Sequence, residues 1–514
     1  MEGAAFVAAV SAAILAGCAV GPNFREPASP AASRYTETPL PPETVSSPGA
    51  AGVAQRFVPG QDLPAQWWMV YHSEPLERLV RQAIADSPNL ESARGALRVA
   101  RENLAAQTGA LLYPRVDANL GAAREKISGA ALGQPGGSTI FSLYNASVNV
   151  SYALDVAGGN RRELEALQSL VDYQDYQLAG AHLALTSNIV TAAVREASLR
   201  AQIDATRDII EAQNKQLELV RRQYELGAIA RLNLVAQQSQ AAQTEALLPP
   251  LERDLAQTRH QLAALAGRLP SDGGIPTFDL ATLTLPQDLP LSVPSALARQ
   301  RPDIRAAEAL LHQASAQIGV ATANQYPQIT LSGSFGVEAT QLHNLFAGPS
   351  VWSIGAGLLQ PLFHAGELEA KRRAAVAAYD QAAAQYRQTV LLAFQNVADA
   401  LRALETDART LKAQSEAETL ARDTLNLTQR QFQLGAANYL ALLDAQRQFN
   451  LSRLSLVQAQ AARYADTAAL FQALGGGWWN GDTTNTASGN VSNKEAPPYS
   501  AARPNAQLER RSTR

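Results

Sequence analysis

The string Arg222-Gln223-Tyr224-Glu225-Leu226-Gly227-Ala228 returns later in the chain as Arg430-Gln431-Phe432-Gln433-Leu434-Gly435-Ala436. Two earlier landmarks return in the same order. Tyr113-Pro114 is echoed by Tyr326-Pro327, and Ser87-Pro88-Asn89-Leu90 by Arg301-Pro302-Asp303-Ile304. A spacing of about 210 residues is far longer than the 20–50 residues of stacked solenoid repeats, so one large unit stands twice in the chain. Any fold proposed for this sequence must be assembled from two similar halves.

Each half has the same internal grammar. A helix of moderate length (about 88–112 and about 302–325) ends at Tyr-Pro, where proline stops the helix and favours an extended continuation. Two short alternating segments follow. Then comes a very long helical stretch, a break at Leu-Gly, and a second helix. Residues 161–225 contain no proline, and residues 367–434 contain neither proline nor glycine. At about 1.5 Å per residue each stretch makes a helix roughly 100 Å long. Apolar residues recur at three and four spacing, as in Leu178, Leu185 and Ile189, or in Leu391, Phe394, Val397, Leu401 and Leu404. Stripes this narrow do not stabilise an isolated helix, so the long helices must pack on neighbours in coiled-coil fashion. The second helices are read over about 230–267 and about 437–474, and Pro249-Pro250 predicts a kink or break in the first of them.

The alternating segments are read as strands over about 115–125, 141–155, 328–338 and 351–360. In the second of them Tyr144, Ala146, Val148, Val150 and Tyr152 share one face, while Asn145, Ser147, Asn149 and Ser151 share the other. In the third, Ile329, Leu331, Phe335 and Val337 alternate with Gln328, Thr330, Ser332 and Ser334. Strands of roughly ten residues, apolar on one face and polar on the other, suit a membrane β-barrel, although half-buried soluble sheets alternate too. Four strands do not close a barrel, since the smallest have about eight, so a barrel built this way must be shared between chains.

Composition closes other routes. Lys plus Arg (43) nearly balances Asp plus Glu (46), which gives no reason to expect a nucleic-acid partner. The six histidines are scattered without metal-ligand spacing. Gly355-Ala356-Gly357 opens like a dinucleotide loop, but Gln360 stands where the third glycine belongs, and no phosphate loop is present. No nucleophile, base or paired-carboxylate constellation has supporting spacing, so neither an enzyme nor a cofactor is expected.

The single cysteine, Cys18, closes a short apolar run over residues 4–17. That run is too short for a membrane span of about 20 residues and reads as a signal peptide, although Glu2 departs from the usual basic start. Residues 18–64, rich in Pro, Ser, Thr and Ala, are read as an extended segment leading from an anchor. Residues 480–514 are read as a disordered polar tail. The domain organisation is thus a first repeat over 65–300 and a second over 301–479.

Leu15-Ala16-Gly17-Cys18 resembles a bacterial lipobox, in which the cysteine becomes the lipidated first residue, and Ala19 lacks the acidic inner-membrane retention signal. Together with Arg301-Pro302-Asp303-Ile304, the two Leu-Gly tips, Leu442-Leu443-Asp444-Ala445 and Ala473-Leu474-Gly475-Gly476-Gly477-Trp478, this resembles the TolC/OprM-like outer-membrane factor family, in its lipidated, NodT-like branch. The resemblance covers about residues 15–479. It implies an α+β membrane protein: a homotrimer whose four strands per chain form one twelve-stranded outer-membrane β-barrel, continued by a long periplasmic α-helical barrel. It implies a mixed belt near residues 270–300 and 455–480. It also implies that the tips, Leu226-Gly227 and Leu434-Gly435, meet a periplasmic adaptor that links the duct to a proton-driven inner-membrane pump. The function implied is passive exit of small toxic molecules. The alternatives are the exit channel of a type I protein-secretion system and, in another class, a structural coiled-coil tether. The family often carries an acid two positions after the second tip glycine. Here that position is Ala437, which leaves Asp444 as the candidate gate residue.

If Cys18 is the lipidation site, Cys18→Ala abolishes metabolic labelling by fatty acid. A normally labelled variant would overturn the lipobox reading.

Overall fold

The computed structural model describes residues 19–128 and 137–480. Cys18, the apolar run before it and the tail from 481 onward lie outside the described residues.

The helices begin and end where local chemistry dictates. Helices α1 (Glu74–Asp86) and α2 (Pro88–Leu112) meet at Ser87, and Pro88 opens α2 in the first turn, where its missing N–H costs nothing. Tyr113 ends α2 in extended geometry, as the following proline requires. Strands β2 (Arg115–Ser128) and β3 (Ser138–Leu154) lead to α3, which runs unbroken over Gly159–Glu225 for 67 residues, about 100 Å. The second half repeats the order: α7 (Pro302–Ala323), β5 (Gln328–Ala339), β6 (Ser350–Leu359) and α8 (Glu367–Gln433), again of 67 residues. Helix α9 (Tyr439–Ala473) follows and is capped by the Asn438 side chain, which accepts the Ala441 N–H at 2.8 Å.

The stretch 230–267, where Pro249-Pro250 predicts a kink or break, is two helices. Helix α4 (Arg231–Glu245) stops at Ala246, and α5 (Leu248–Leu265) starts with Pro249 and Pro250 in its first turn. Prolines removed from the interior to a first turn leave no backbone bond broken, so the chain breaks just before them.

Both long helices end in the same cap. Ala228 N–H donates to the Gln223 carbonyl (2.8 Å) and Gly227 N–H to that of Tyr224 (2.9 Å); Ala436 donates to Gln431 (2.8 Å) and Gly435 to Phe432 (3.0 Å). This is the Schellman arrangement, and it needs a left-handed residue at its corner. Gly227 and Gly435 supply it at φ +73° and +74°.

The main core is not at either end of the molecule but at a waist. There the middle of α3 (Leu185, Ile189, Val190) meets α8 (Val397, Leu401, Leu404), α9 (Tyr464, Phe471) and the short helix over Trp67–Tyr71. Residues 275–291 lay Ile275, Phe278, Leu283 and Leu289 against this core. Glu196, wholly buried on α3, ties the parts together: it accepts from Arg200 (2.7 Å), from Arg259 of α5 (2.8 Å) and from the Phe278 N–H (3.0 Å). Arg301 reaches from the start of α7 to the carbonyls of Ala473 (2.8 Å) and Ala393 (3.4 Å).

The N-terminal segment is extended but not loose. Strand β1 (Arg56–Pro59) pairs in parallel with β4 (Asp288–Leu291), and a small helix α6 (Pro294–Gln300) follows β4. Buried Arg463 of α9 donates to Thr44 Oγ1 (3.3 Å) and the Val53 carbonyl (3.1 Å), fastening this segment to the waist.

Two outcomes follow from these features. Gly227→Ala or Gly435→Ala forces a side chain into left-handed geometry at about 1–2 kcal/mol, so amide exchange in the last turn of α3 or α8 accelerates about tenfold; unchanged exchange would show that the cap does not depend on glycine. Beside Arg463, burial and hydrogen bonding with Asp407 push the Asp466 carboxyl up to about 8, against the opposing charge of Arg463. This group therefore contributes stability that is full below its ordinary value of 3.8 and is lost as pH rises through about 8. Thermal melts between about pH 6 and about pH 9 test this: Asp466→Asn flattens the decline, and an unchanged slope would assign it to other groups.

Candidate functional site

Strands β2, β3, β5 and β6 form one antiparallel sheet in that order. Its register lines up the faces that the sequence pattern separates. Val150 sits opposite Val116 and Gly333, Val148 opposite Ala118 and Phe335, and Phe335 opposite Trp352. The result is a continuous apolar face that none of the described residues covers: Leu120 is 81% exposed, Trp352 70% and Ile354 84%. On the other face Asn119, Ser147, Asn149, Ser332, Ser334 and Ser353 stand together, with Ser334 and Ser353 hydroxyls 2.8 Å apart. Strands β2 and β6 are the sheet's two edges, and every residue of β6 is exposed. Strands of 10 to 17 residues are long enough to cross the hydrocarbon of a bilayer at a tilt. No helix among the described residues is long and apolar enough to cross a membrane.

Below the sheet, Leu362 and Phe363 are almost fully exposed (91% and 87%). Sequence reasoning passed over this pair. An apolar dipeptide just outside the period of a strand is the signal that marks it.

At the far end of the long helices the two tips come together. Val220 of α3, Tyr439, Leu442 and Leu443 of α9 form a small second core, with Ile229, Leu234 and Phe432 packed on it. The Tyr439 hydroxyl donates to Gln237 Oε1 of α4, a buried contact that joins the two halves. Outside this plug, Leu226 and Leu434 project into solvent at 83% and 84% exposure, each beside its glycine. The paired tips thus present two similar apolar knobs on one end of the molecule. Arg222 pairs with Glu218 of its own helix at 3.7 Å. Asp444 lies exposed on α9, next to buried Leu443. Cys18 lies outside the described residues.

Among the described residues no group of His, Cys, Asp and Glu is arranged to hold a metal ion. What the described residues offer is surfaces and a polar wall.

Comparison with known proteins bears on these surfaces. The chain is 29% identical over 479 residues to the toluene efflux pump outer membrane protein TtgC of Pseudomonas putida, covering 92% of this chain and 95% of that one. It is 29% identical over 446 residues to the pyoverdine export outer membrane protein OpmQ of Pseudomonas putida, covering 86% and 94%. Among solved structures it is similar to the outer-membrane channel OprN, with a TM-score of 0.79 at 26% identity, covering 90% of this chain and 100% of that one. A family model described as outer membrane efflux protein matches residues 79–268 and 293–476, one span on each half. The chain belongs to the outer membrane efflux protein family, whose members are channels and not enzymes.

Proposed function

We propose that three copies of this chain close a single twelve-stranded barrel, four strands from each, and that the barrel opens into a helical tube reaching through the periplasm. One observation carries this reading: a four-stranded sheet with an uncovered apolar face and two free edges stands on two helices of 67 residues. In hydrocarbon each unpaired backbone group costs several kcal/mol, so the edges β2 and β6 must find partners. A second and third copy supply them without any new kind of contact. The two similar halves, which we assign to an internal duplication, place four helical segments per chain around the tube.

The duct is passive and serves a tripartite efflux system. Its polar wall of hydroxyl and amide groups keeps the passage wet. The tips at Leu226-Gly227 and Leu434-Gly435 dock a periplasmic adaptor, which connects them to a proton-driven inner-membrane pump. Asp444, repeated in three chains, forms the gate ring. Lipid on Cys18 anchors the assembly in the outer membrane. The cargo is small toxic molecules, and its selection falls to the pump: TtgC is named for toluene and OpmQ for pyoverdine, yet this chain is equally identical to both.

Native mass measurement of the detergent-purified protein is expected to give a trimer, and a clean monomer would sink the shared barrel. Crosslinking in cells from positions 227 and 435 is expected to capture an adaptor together with a proton-driven pump. Capture of an ATP-driven exporter would move the assignment to protein secretion, and capture of cell-wall proteins alone would leave only a tether.

A further inference from the structure

The first described residues of the chain are gripped where the sheet meets the helices. Val20 N–H donates to the Ala157 carbonyl (3.0 Å), in the short link between β3 and α3. Arg162, in the first turn of α3 and only 4% exposed, turns its guanidinium toward the same segment. Its Nε donates to the Val20 carbonyl (3.2 Å), and its Nη2 to Asn23 Oδ1 (2.7 Å) and the Gly21 carbonyl (3.5 Å). Its Nη1 donates to Glu165 Oε2 at 2.7 Å. The other Glu165 oxygen lies 2.9 Å from His312 Nε2, on α7. The His312 ring in turn stacks on Phe24, with centroids 4.3 Å apart and planes 12° from parallel.

The stem of Arg162 passes over Gly319 of α7, where a Cβ would sit 2.7 Å from Arg162 Cγ. Thus Arg162 lies against α7 and encloses the segment from one side, while His312 closes it from the other. Burial pushes the Glu165 carboxyl up, but hydrogen bonds from His312 and Arg162 more than offset this and hold it below its ordinary value. It stays ionised between its two partners. A nearly buried arginine with every contact directed at one short segment and one carboxylate has a defined task.

We infer that Arg162, Glu165 and His312 form a clamp that fixes residues 20–24 at the foot of each protomer's own sheet, so that the anchor on Cys18 enters the bilayer beside the strands it serves. The clamp holds the segment with or without an acyl group. It rests on the reading of Cys18 as the anchor, and it adds the site that sets where the anchor emerges.

Cys18 is the one cysteine in the chain, so a Cys18→Ser background accepts a single nitroxide at the exposed Arg25→Cys position. The full chain purified in detergent is read by continuous-wave electron paramagnetic resonance. With the clamp intact the spectrum is that of an immobilised label, although no lipid is attached. Arg162→Ala is expected to speed its motion several-fold. The double variant Asn23→Ala, Phe24→Ala, which leaves α3 and α7 untouched, does the same with an unchanged helical melt, and it decides the matter should Arg162→Ala fail to fold. A label already mobile in the Cys18→Ser background, or one still immobile in the double variant, would overturn the clamp. Lipidation itself stands or falls separately, on the intact mass of the wild-type protein.

Discussion

A helix of 67 residues with a narrow apolar stripe does not hold itself straight or choose its neighbours. In this protein the waist does both. Trp67 stacks on Phe471 at 5.5 Å, the Tyr71 hydroxyl donates to the Tyr464 carbonyl at 2.8 Å, and the Tyr464 hydroxyl donates to that of Leu283 at 2.8 Å. Glu196 and Arg301 then bind both halves to this aromatic centre through buried, charge-assisted hydrogen bonds. Away from the waist the helices carry their order outward as rigid levers. One pair of ends supports the sheet and the other supports the tips, where the small cluster around Val220 and Leu442 keeps the four helix ends together.

The sheet obeys a different constraint. Its register places apolar side chains on one face and mostly polar ones on the other, with neither face covered by the described residues. In water such a face is an association hazard, and in lipid it is the required surface. The free edges carry the same message for the backbone, since hydrocarbon offers no substitute for a strand partner. Membrane insertion and assembly are therefore one requirement, and the proposed trimer answers both. Exposed Leu391 on α8, part of a stripe whose Leu401 and Leu404 are buried at the waist, extends that demand for partners down the helices.

Much of this was legible because it is local. The Leu-Gly-Ala caps, the Tyr-Pro helix ends and the alternation in β3 and β5 depend on neighbours a few residues away, and they appear in the structure where the sequence places them. The break at Ala246 was read slightly late because Pro249 and Pro250 advertise a defect without saying which side of it the helix restarts. Long-range features were not legible. Strand β1 pairs with β4 across more than two hundred intervening residues, and its Arg56-Phe57-Val58-Pro59 has too few residues to show a period. Nothing in the sequence separates Arg162, Glu196 and Arg463 from the surface charges of amphipathic helices; their partners, supplied by distant segments, make burial tolerable. For the tips, sequence reasoning found the turn but not the Tyr439–Gln237 contact that joins the halves, since nothing in either residue's neighbourhood specifies the other.

The waist, the tips and the clamp on residues 20–24 together argue that the proposed duct is mechanically stiff and chemically idle. The polar face of the sheet is made mostly of neutral hydroxyl and amide groups, with the Arg115–Asp117 pair (2.8 Å), Glu125 and Glu338 as its charges. In the proposed duct a wall of that kind discriminates little between solutes, which agrees with leaving the driving force and the choice of cargo to a partner. That assigns the tips their importance. The exposed Leu226 and Leu434, held on Schellman caps and braced by the cluster behind them, are the surfaces on which the proposed docking rests.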